Sequence, residues 1–138
     1  MPRIEITDLR VAVVAGAPMT CPILRIDTNV DGLYGLGEVR DGASATYALM
    51  LKSRLIGEDP RNVEKLFKKI APFGHHGRQG GGVCGIEMAL WDILGKHVGA
   101  PVWQLLGGRY RDRIRIYADT EMHPDPADTA RHLKQRID

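Results

Sequence analysis

The stretch GIEMALWDILGKHVGAPVWQLLGG, residues 85–108, carries the strongest pattern in the chain. Its apolar residues recur at helical spacing on two faces: Ile86, Leu90, Ile93 and Leu94 on one, and Met88 and Trp91 on the other. A helix that is apolar on nearly all sides is typical of the centre of a fold. Gly99 is expected to end this helix, and Pro101 to open a short helix that runs through Leu106. The stretch therefore predicts a buried, central helix.

Two further helices are predicted before the central one. The first begins near Ser44 and stops at Gly57, and its apolar stripe is Tyr47, Met50, Leu51 and Leu55. The second takes Asp59 as its N-cap and Pro60 as its first residue. Its apolar stripe is Val63, Leu66, Phe67 and Ile70. A loop over residues 72–82 then leads to the central helix.

The opening of the chain alternates with a period of two, which indicates strands. In residues 3–14 one face is formed by Leu9, Val11 and Val13. In the second run one face is formed by Leu24, Ile26 and Thr28. A turn at Asp31 and Gly32 leads to a third short run that ends at Glu38. These runs predict a three-stranded antiparallel meander.

The end of the chain reads as one strand followed by one helix. After a turn near residues 107–112, Ile114, Ile116 and Ala118 alternate with polar or aromatic neighbours, and PDPADTARHLKQRID begins another helix. A single strand–helix unit does not close a layer by itself, so it is typical of the first repeat of a larger α/β fold. We therefore predict a first domain over residues 1–112 and a second unit over residues 113–138.

Composition excludes several classes of function. The chain has 138 residues, of which 43% are apolar, and 19 Lys and Arg stand against 17 Asp and Glu, a balance that offers no strong field for nucleic acid. No apolar run approaches the ~20 residues that a membrane helix needs. Cys21 and Cys84 are too few and too far apart for a disulfide scaffold, which favours a cytoplasmic location.

Common site motifs are also missing from the sequence. The five histidines never approach H-E-x-x-H or another compact ligand spacing, so no zinc site is expected. The glycines of GLYGLGE and GRQGGGVCG match neither G-x-G-x-x-G nor G-x-x-x-x-G-K-[ST]. What remains is the loop before the central helix, where glycines and helix N–H groups could meet an anion, Arg78 could bind a carboxylate, and His75 and His76 could add donors. An equally good interpretation is a crowded turn in which Arg78 pairs with a surface acid.

Four stretches of the chain occur in the order and approximate spacing of the N-terminal third of the enolase superfamily. They are GLYGLGE, LIGEDP, GIEMALWDILGKHVGAPVWQLLGG and IRIYADT. The chain most resembles mandelate racemases and muconate-lactonizing enzymes, over nearly its whole length. The resemblance implies an α+β capping domain, with a three-stranded antiparallel meander and a helical bundle, followed by the first β/α unit of a (β/α)-barrel. In that interpretation residues 113–138 are the first strand and helix of a truncated TIM-like barrel.

The resemblance also implies a Mg²⁺-dependent enzyme that abstracts the proton α to a carboxylate. In this family three carboxylates on central barrel strands bind the metal, and a Lys or His takes the proton. None of these groups is expected here: no catalytic residue and no metal ligand is assigned to the chain, Lys134 is not the family base, and the ligands are expected beyond Asp138. We therefore expect the N-terminal part of a longer protein, inactive by itself, rather than a stand-alone capping module.

In the family two capping-domain loops close over the barrel mouth, here residues 15–22 and 38–47. With the loop before the central helix they supply the candidate substrate-binding residues: Met19, Thr20, Arg40, His75, His76 and Arg78. Arg40 with the group of His75, His76 and Arg78 favours a sugar acid as the small carboxylate substrate, and hence an acid-sugar dehydratase. We expect a homo-oligomer that binds neither nucleic acid nor membrane. A racemase or epimerase, a cycloisomerase, and a non-catalytic binding module docking through helix 83–97 are the alternatives.

Overall fold

A long helix packed across a three-stranded sheet forms the centre of the fold. The structure is a computed structural model and describes residues 3–40, 42–74, 82–117 and 123–136. The chain divides into two compact units, Met1–Gly108 and Arg109–Asp138. The sheet and the long helix belong to the first unit, which also contains the loops at residues 14–21 and 39–44.

The sheet contains β1 (Ile6–Val13), β2 (Pro22–Thr28) and β3 (Tyr34–Glu38) in the order β1-β2-β3. Both pairings are antiparallel, so the predicted meander is confirmed. A register shift between Ile6 and Asp8 marks a bulge in β1, and Ile6 and Leu9 are therefore the strand's fully buried residues. Val13 is exposed, so the predicted apolar face holds only for the first part of β1.

The helices of the first unit are α1 (Ala45–Met50), α2 (Lys52–Leu55), α3 (Val63–Ile70), a 3₁₀ turn (Ala71–Phe73), α4 (Val83–Val98) and α5 (Val102–Leu105). The single helix predicted from Ser44 is instead two short helices that meet at Leu51. The Ser44 hydroxyl caps the first by accepting the Tyr47 N–H at 3.2 Å. In the ranges that the structure covers, no helix has the length and apolar character of a membrane span.

The prediction that Asp59 caps the next helix is wrong, because α3 begins at Val63 with Asn62 at its N-cap position. The Asp59 carboxylate accepts the Arg61 N–H at 3.0 Å and also binds the Arg61 guanidinium. This local pairing holds residues 59–61 as a turn, since an aspartate that bonds the backbone two residues on competes with helix formation.

Glycines let α4 lie directly on β3. A Cβ atom built on Gly35 would stand 2.0 Å from the Ala89 carbonyl oxygen, and one built on Gly37 would stand 1.9 Å from that of Gly85. Two strand residues advance about 6.6 Å and four helical residues about 6 Å, so the two backbones stay in register over this contact. Gly35 and Gly37 of GLYGLGE therefore serve close packing of helix on strand, while Gly32 has φ +74° and lies in a turn with no close neighbour.

The core confirms the main apolar face of α4, because Ile86, Leu90 and Ile93 are all fully buried. The other face differs from the prediction: Met88 is 47% exposed, and Trp91 is only partly buried against the core. The predicted stripe of α1 and α2 also shifts, since Met50 is exposed and Ala48 takes its place in the core. Apolar residues at helical spacing lie on two faces of α4, but only the face towards the sheet and α3 is fully buried.

The second unit contains α6 (Pro126–Gln135), which agrees with the predicted final helix. The Asp125 carboxylate caps it by accepting the Ala127 N–H at 2.8 Å. The predicted barrel strand is not seen: residues 113–117 form no strand, Ile114 and Ile116 are exposed, and Ala118 lies outside the described residues. A strand needs a hydrogen-bonding neighbour, and no strand partner for 113–117 is found in the described part of this unit.

Glu58, from the LIGEDP stretch, joins β1 to α3. Its carbonyl accepts the Ile6 N–H at 2.9 Å, and its carboxylate binds Lys69 at 2.7 Å and Lys65 at 3.0 Å. The hydrogen bonds from Lys69 and then Lys65 lower the pKa of Glu58 from its ordinary value of 4.5. A lowered folded-state pKa stabilises the fold above the ordinary value, and that contribution is lost as the pH falls through the folded-state pKa.

We expect Glu58→Gln to make stability less dependent on pH below neutrality. The difference in free energy of unfolding between wild type and variant should be largest above about pH 5 and shrink towards about pH 3. Urea titrations across this range measure it. Glu64→Gln in the first turn of α3 is the control, and a difference that stays constant with pH would contradict the role of the two lysines.

Candidate functional site

Two loops meet at one end of the sheet. Residues 14–21 connect β1 to β2, and residues 39–44 leave β3 at the same end because neighbouring antiparallel strands run in opposite directions. The Val39 N–H donates to the Pro22 carbonyl at 2.9 Å, and the Gly42 N–H donates to the Thr20 carbonyl at 3.2 Å. The structure thus brings the loop of Met19 and Thr20 against the loop of Arg40.

Arg40 is exposed at the start of the second loop, and its carbonyl accepts the Ala43 N–H at 3.1 Å, which closes a turn. In the described parts of the chain no acidic side chain forms an ion pair with Arg40. The residue borders a shallow cavity of about 210 Å³. A guanidinium group presents a planar fork of donors that matches a carboxylate, so this arrangement can bind a small acid.

Met19 gives the same end of the domain an apolar part. Its side chain is 57% exposed, and the exposed side chains of Val13 and Val14 lie just before it in the β1–β2 loop region. Thr20, which is also exposed, follows Met19 and shares the backbone contact with Gly42. A cation beside exposed apolar groups suits an organic acid, because its carboxylate and its carbon chain each find a matching surface.

The segment that holds the remaining candidates starts and ends close to α1. The Tyr47 hydroxyl donates to the Phe73 carbonyl at 3.3 Å. Gly82 has φ +78°, and a Cβ atom there would stand 2.6 Å from the Cβ atom of Ala48 and 3.8 Å from Cγ2 of Val39, beside Arg40. His75, His76 and Arg78 lie outside the described residues, so their contribution to the site stays a prediction.

The sequence interpretation missed three residues that line the cavity beside Arg40: Glu38, Cys84 and Met88. Cys84 and Met88 lie in the first part of α4, which the contact between Gly37 and Gly85 places beneath the end of β3. The paired glycine positions were the available signal, because two backbones that touch must bring their neighbouring side chains together. Without that contact, Cys84 entered the sequence analysis only in the argument against a disulfide scaffold.

The described residues do not form a metal site. Over 3–40, 42–74, 82–117 and 123–136, no three His, Cys, Asp or Glu side chains come together in a way that could hold an ion. His123 and His132 stack with ring centroids 4.5 Å apart, but a stacked pair presents no converging third ligand. No metal chemistry is therefore assigned to this part of the molecule.

Comparisons with known proteins agree with the fold. A D-galactonate dehydratase of Verminephrobacter eiseniae is 41% identical over 124 residues, which cover 83% of this chain and 31% of the relative. A D-galactonate dehydratase family member of Pantoea ananatis is 37% identical over 131 residues, covering 88% and 31%. A crystal structure of an enolase from Pantoea ananatis with bound D-gluconate and Mg superposes with a TM-score of 0.80 at 30% identity, over 97% of this chain and 34% of that one.

The chain thus spans about a third of the length of the curated relatives that it matches. Residues 3–107 match the family model of the mandelate racemase/muconate lactonizing enzyme N-terminal domain. That range contains the whole sheet, helices α1 to α5 and both loops of the site. The chain therefore belongs to the mandelate racemase/muconate lactonizing enzyme family of the enolase superfamily and carries its N-terminal capping domain.

Proposed function

We propose that the complete protein is a Mg²⁺-dependent acid-sugar dehydratase, a hydro-lyase, and that this chain supplies the capping side of its substrate site. The observation that carries the proposal is the position of Arg40 beside the Met19–Thr20 loop, joined through the Gly42–Thr20 hydrogen bond. The D-galactonate dehydratase relative, the family member of Pantoea ananatis and the D-gluconate of the structural neighbour support a sugar acid as the substrate class. Magnesium and its ligands are proposed for the complete protein and not for this chain.

In this proposal residues 1–112 are the capping domain and residues 113–138 begin the barrel. The Arg40 guanidinium binds the end of the substrate that is distant from the reacting carbon, where a sugar acid carries hydroxyl groups or a second carboxylate. Met19 and its apolar neighbours exclude water from that end, and Thr20 adds polar contact. His75, His76 and Arg78 are proposed to complete the polar surface. Fixing the distal end orients the α-proton towards a base supplied elsewhere.

The proposed reaction is elimination of water from the sugar acid. Removal of the proton α to the carboxylate and loss of the neighbouring β-hydroxyl as water leaves an enol, which rearranges to a 2-keto-3-deoxy acid. The chain's own part is binding and orientation, not proton transfer. A change at Arg40 should therefore weaken turnover of polyhydroxy acids without removing the proton-abstracting chemistry.

We expect Arg40→Ala in the complete protein to lower kcat/KM for its best sugar acid by ~10- to 100-fold, or about 1.4 to 2.8 kcal/mol. Slow exchange of the α-proton should persist. A panel of sugar acids in D₂O with Mg²⁺, followed by proton NMR, measures both dehydration and exchange. Arg3→Ala is the matched control, because Arg3 is an exposed arginine that precedes β1, at the opposite end of the sheet.

Adding an N-acyl amino acid, a dipeptide and a sugar lactone to the panel separates the alternative functions. Turnover of an N-acyl amino acid or a dipeptide, with no sugar acid consumed, would favour a racemase or epimerase. Turnover of a sugar lactone alone would favour a cycloisomerase, and no exchange with any acid would favour a binding module. If sugar acids react and Arg40→Ala equals wild type, the dehydratase proposal survives and the role of Arg40 is wrong.

A further inference from the structure

Strand β3 forms one edge of the sheet. It is the last strand in the order β1-β2-β3, so only one of its sides pairs with another strand of the described sheet. Gly35 and Gly37 stand opposite Ile26 and Leu24 of β2. Between and beside these glycines, the Leu36 N–H and the Tyr34 carbonyl point away from β2. Such outward backbone groups are a template on which another strand can pair.

Two side chains of α4 occupy these groups. The Leu36 N–H donates to Oδ2 of Asp92 at 2.9 Å, and Nζ of Lys96 donates to the Tyr34 carbonyl at 2.8 Å. The same Lys96 nitrogen donates to Oδ2 of Asp92 at 2.7 Å. One acceptor and one donor therefore stand where the C=O and N–H of an added strand would stand.

The position of Lys96 is fixed from a second direction. Its Nζ lies 4.3 Å from the centroid of the Tyr34 ring, and the guanidinium carbon of Arg25 lies 3.9 Å from the same centroid. Arg25 in turn binds Asp27 on β2. The side chains of Asp92 and Lys96 are only 31% and 39% exposed. Both side chains also contact β3, so the Asp92–Lys96 ion pair connects α4 to the strand as well as stabilising α4 itself.

An apolar surface lies next to this edge. Leu36, Met88, Trp91, Val102 and Leu106 line a cavity of about 720 Å³ together with Asp92, Lys96 and Glu87. Pairing of two β3 strands would bring two such surfaces near each other, and burial of apolar area would add to the backbone hydrogen bonds. An open edge at this place would therefore favour association of two identical chains.

We propose that the Asp92–Lys96 pair closes the outer edge of β3 against strand pairing with a second copy of this chain. The pair satisfies two of the outward groups, the Leu36 N–H and the Tyr34 carbonyl, so a second chain would have to displace both side chains before it could bond to these two. Strand addition then exchanges hydrogen bonds instead of gaining them. The spacing of four residues between Asp92 and Lys96 places both on the side of α4 that borders β3.

The test uses the full 138-residue chain and its Asp92→Ala, Asp92→Asn and Asp128→Ala variants. Asp128→Ala is the matched control, because it removes an exposed helical ion pair, that with Arg131, far along the chain in α6. Sedimentation velocity over a range of concentrations measures association. Amide hydrogen exchange by NMR measures protection of the Leu36 N–H at the lowest and highest concentrations.

For Asp92→Ala we expect exchange of the Leu36 amide at least ~10-fold faster than in wild type when the chain is dilute. As the concentration rises, the variant should form a larger species than wild type does, and the Leu36 amide should regain protection. Asp92→Asn keeps an acceptor and should behave like wild type, as should Asp128→Ala. Lys96→Met, which leaves the Leu36 bond in place, should show the same association more weakly and serves as the test if Asp92→Ala does not fold.

Two results would overturn the proposal. One is an Asp92→Ala variant, or in its place a Lys96→Met variant, that folds and sediments like wild type at every concentration. The other is association during which the Leu36 amide stays unprotected, because the chains would then meet through another surface.

Discussion

Replacing Gly37 by alanine should destabilise the domain by about 3 kcal/mol or more. The added Cβ atom would stand 1.9 Å from the Gly85 carbonyl oxygen and 2.8 Å from its carbon, distances that no Cβ contact tolerates. The clash is with the backbone of α4, so no side-chain rotation can relieve it. Either α4 moves away from β3, which opens the core around Leu24 and Leu90, or the strand bends.

Urea titration of the free energy of unfolding measures this effect. Leu36→Ala is the matched control, because Leu36 neighbours Gly37 on the same strand, faces the other way and is 46% exposed. It should cost no more than about 1 kcal/mol. Gly35→Ala, which meets the Ala89 carbonyl, should behave like Gly37→Ala. If Gly37→Ala costs no more than Leu36→Ala, the glycines do not serve the close contact of helix and strand.

Leu90→Ala is expected to cost about 2 to 5 kcal/mol, since it removes a fully buried side chain and leaves a cavity. Leu90 is 0% exposed and lies in the core cluster with Ile86 and Ile93 on the same face of α4. The spread of the expected value reflects how far the neighbouring side chains can close the space. Denaturant titration of the wild type and the variant gives the difference directly.

The control for this prediction is Met88→Ala on the opposite side of α4. Met88 is 47% exposed, so its truncation removes little buried surface and should cost less than about 1 kcal/mol. Equal losses in the two variants would mean that α4 is buried all round in solution. A loss near zero for Leu90→Ala would contradict the buried face itself.

The strands and helices that could be predicted are those in which the spacing of apolar residues indicates a single buried face. Apolar and polar residues alternate along β1 to β3 because one side of the sheet meets α4. The helical spacing of the apolar residues of α4 likewise follows from the side that it presents to the sheet. The exact residues at which helices begin or break were harder to predict. Aspartate is a common helix cap, but the Asp59 carboxylate accepts the Arg61 N–H and forms a turn instead. The exposed residues 113–117 alternate like a strand without a partner in the described residues.

The candidate site was less accessible from sequence, since it depends on contacts between distant segments. Met19, Thr20 and Arg40 were proposed from the family resemblance, and the structure adds that their loops share the Gly42–Thr20 hydrogen bond. Spacing along the chain does not encode that bond. Likewise, Asp92 and Lys96 have the spacing of an ordinary surface pair, and only the position of β3 reveals that they bind its backbone. Their role could not be inferred from charge pattern alone.

The Gly42–Thr20 hydrogen bond couples the two loops in any redesign of this domain. Because the backbone of one loop holds the other, an insertion or deletion in residues 14–21 will also displace the turn that carries Arg40. Grafting a single loop from a relative should then leave the two segments mismatched where they meet. Exchanging both segments together, from a common donor and with the Val39–Pro22 hydrogen bond retained, should keep their backbone contact intact. Natural variation in one loop should therefore be accompanied by variation in the other.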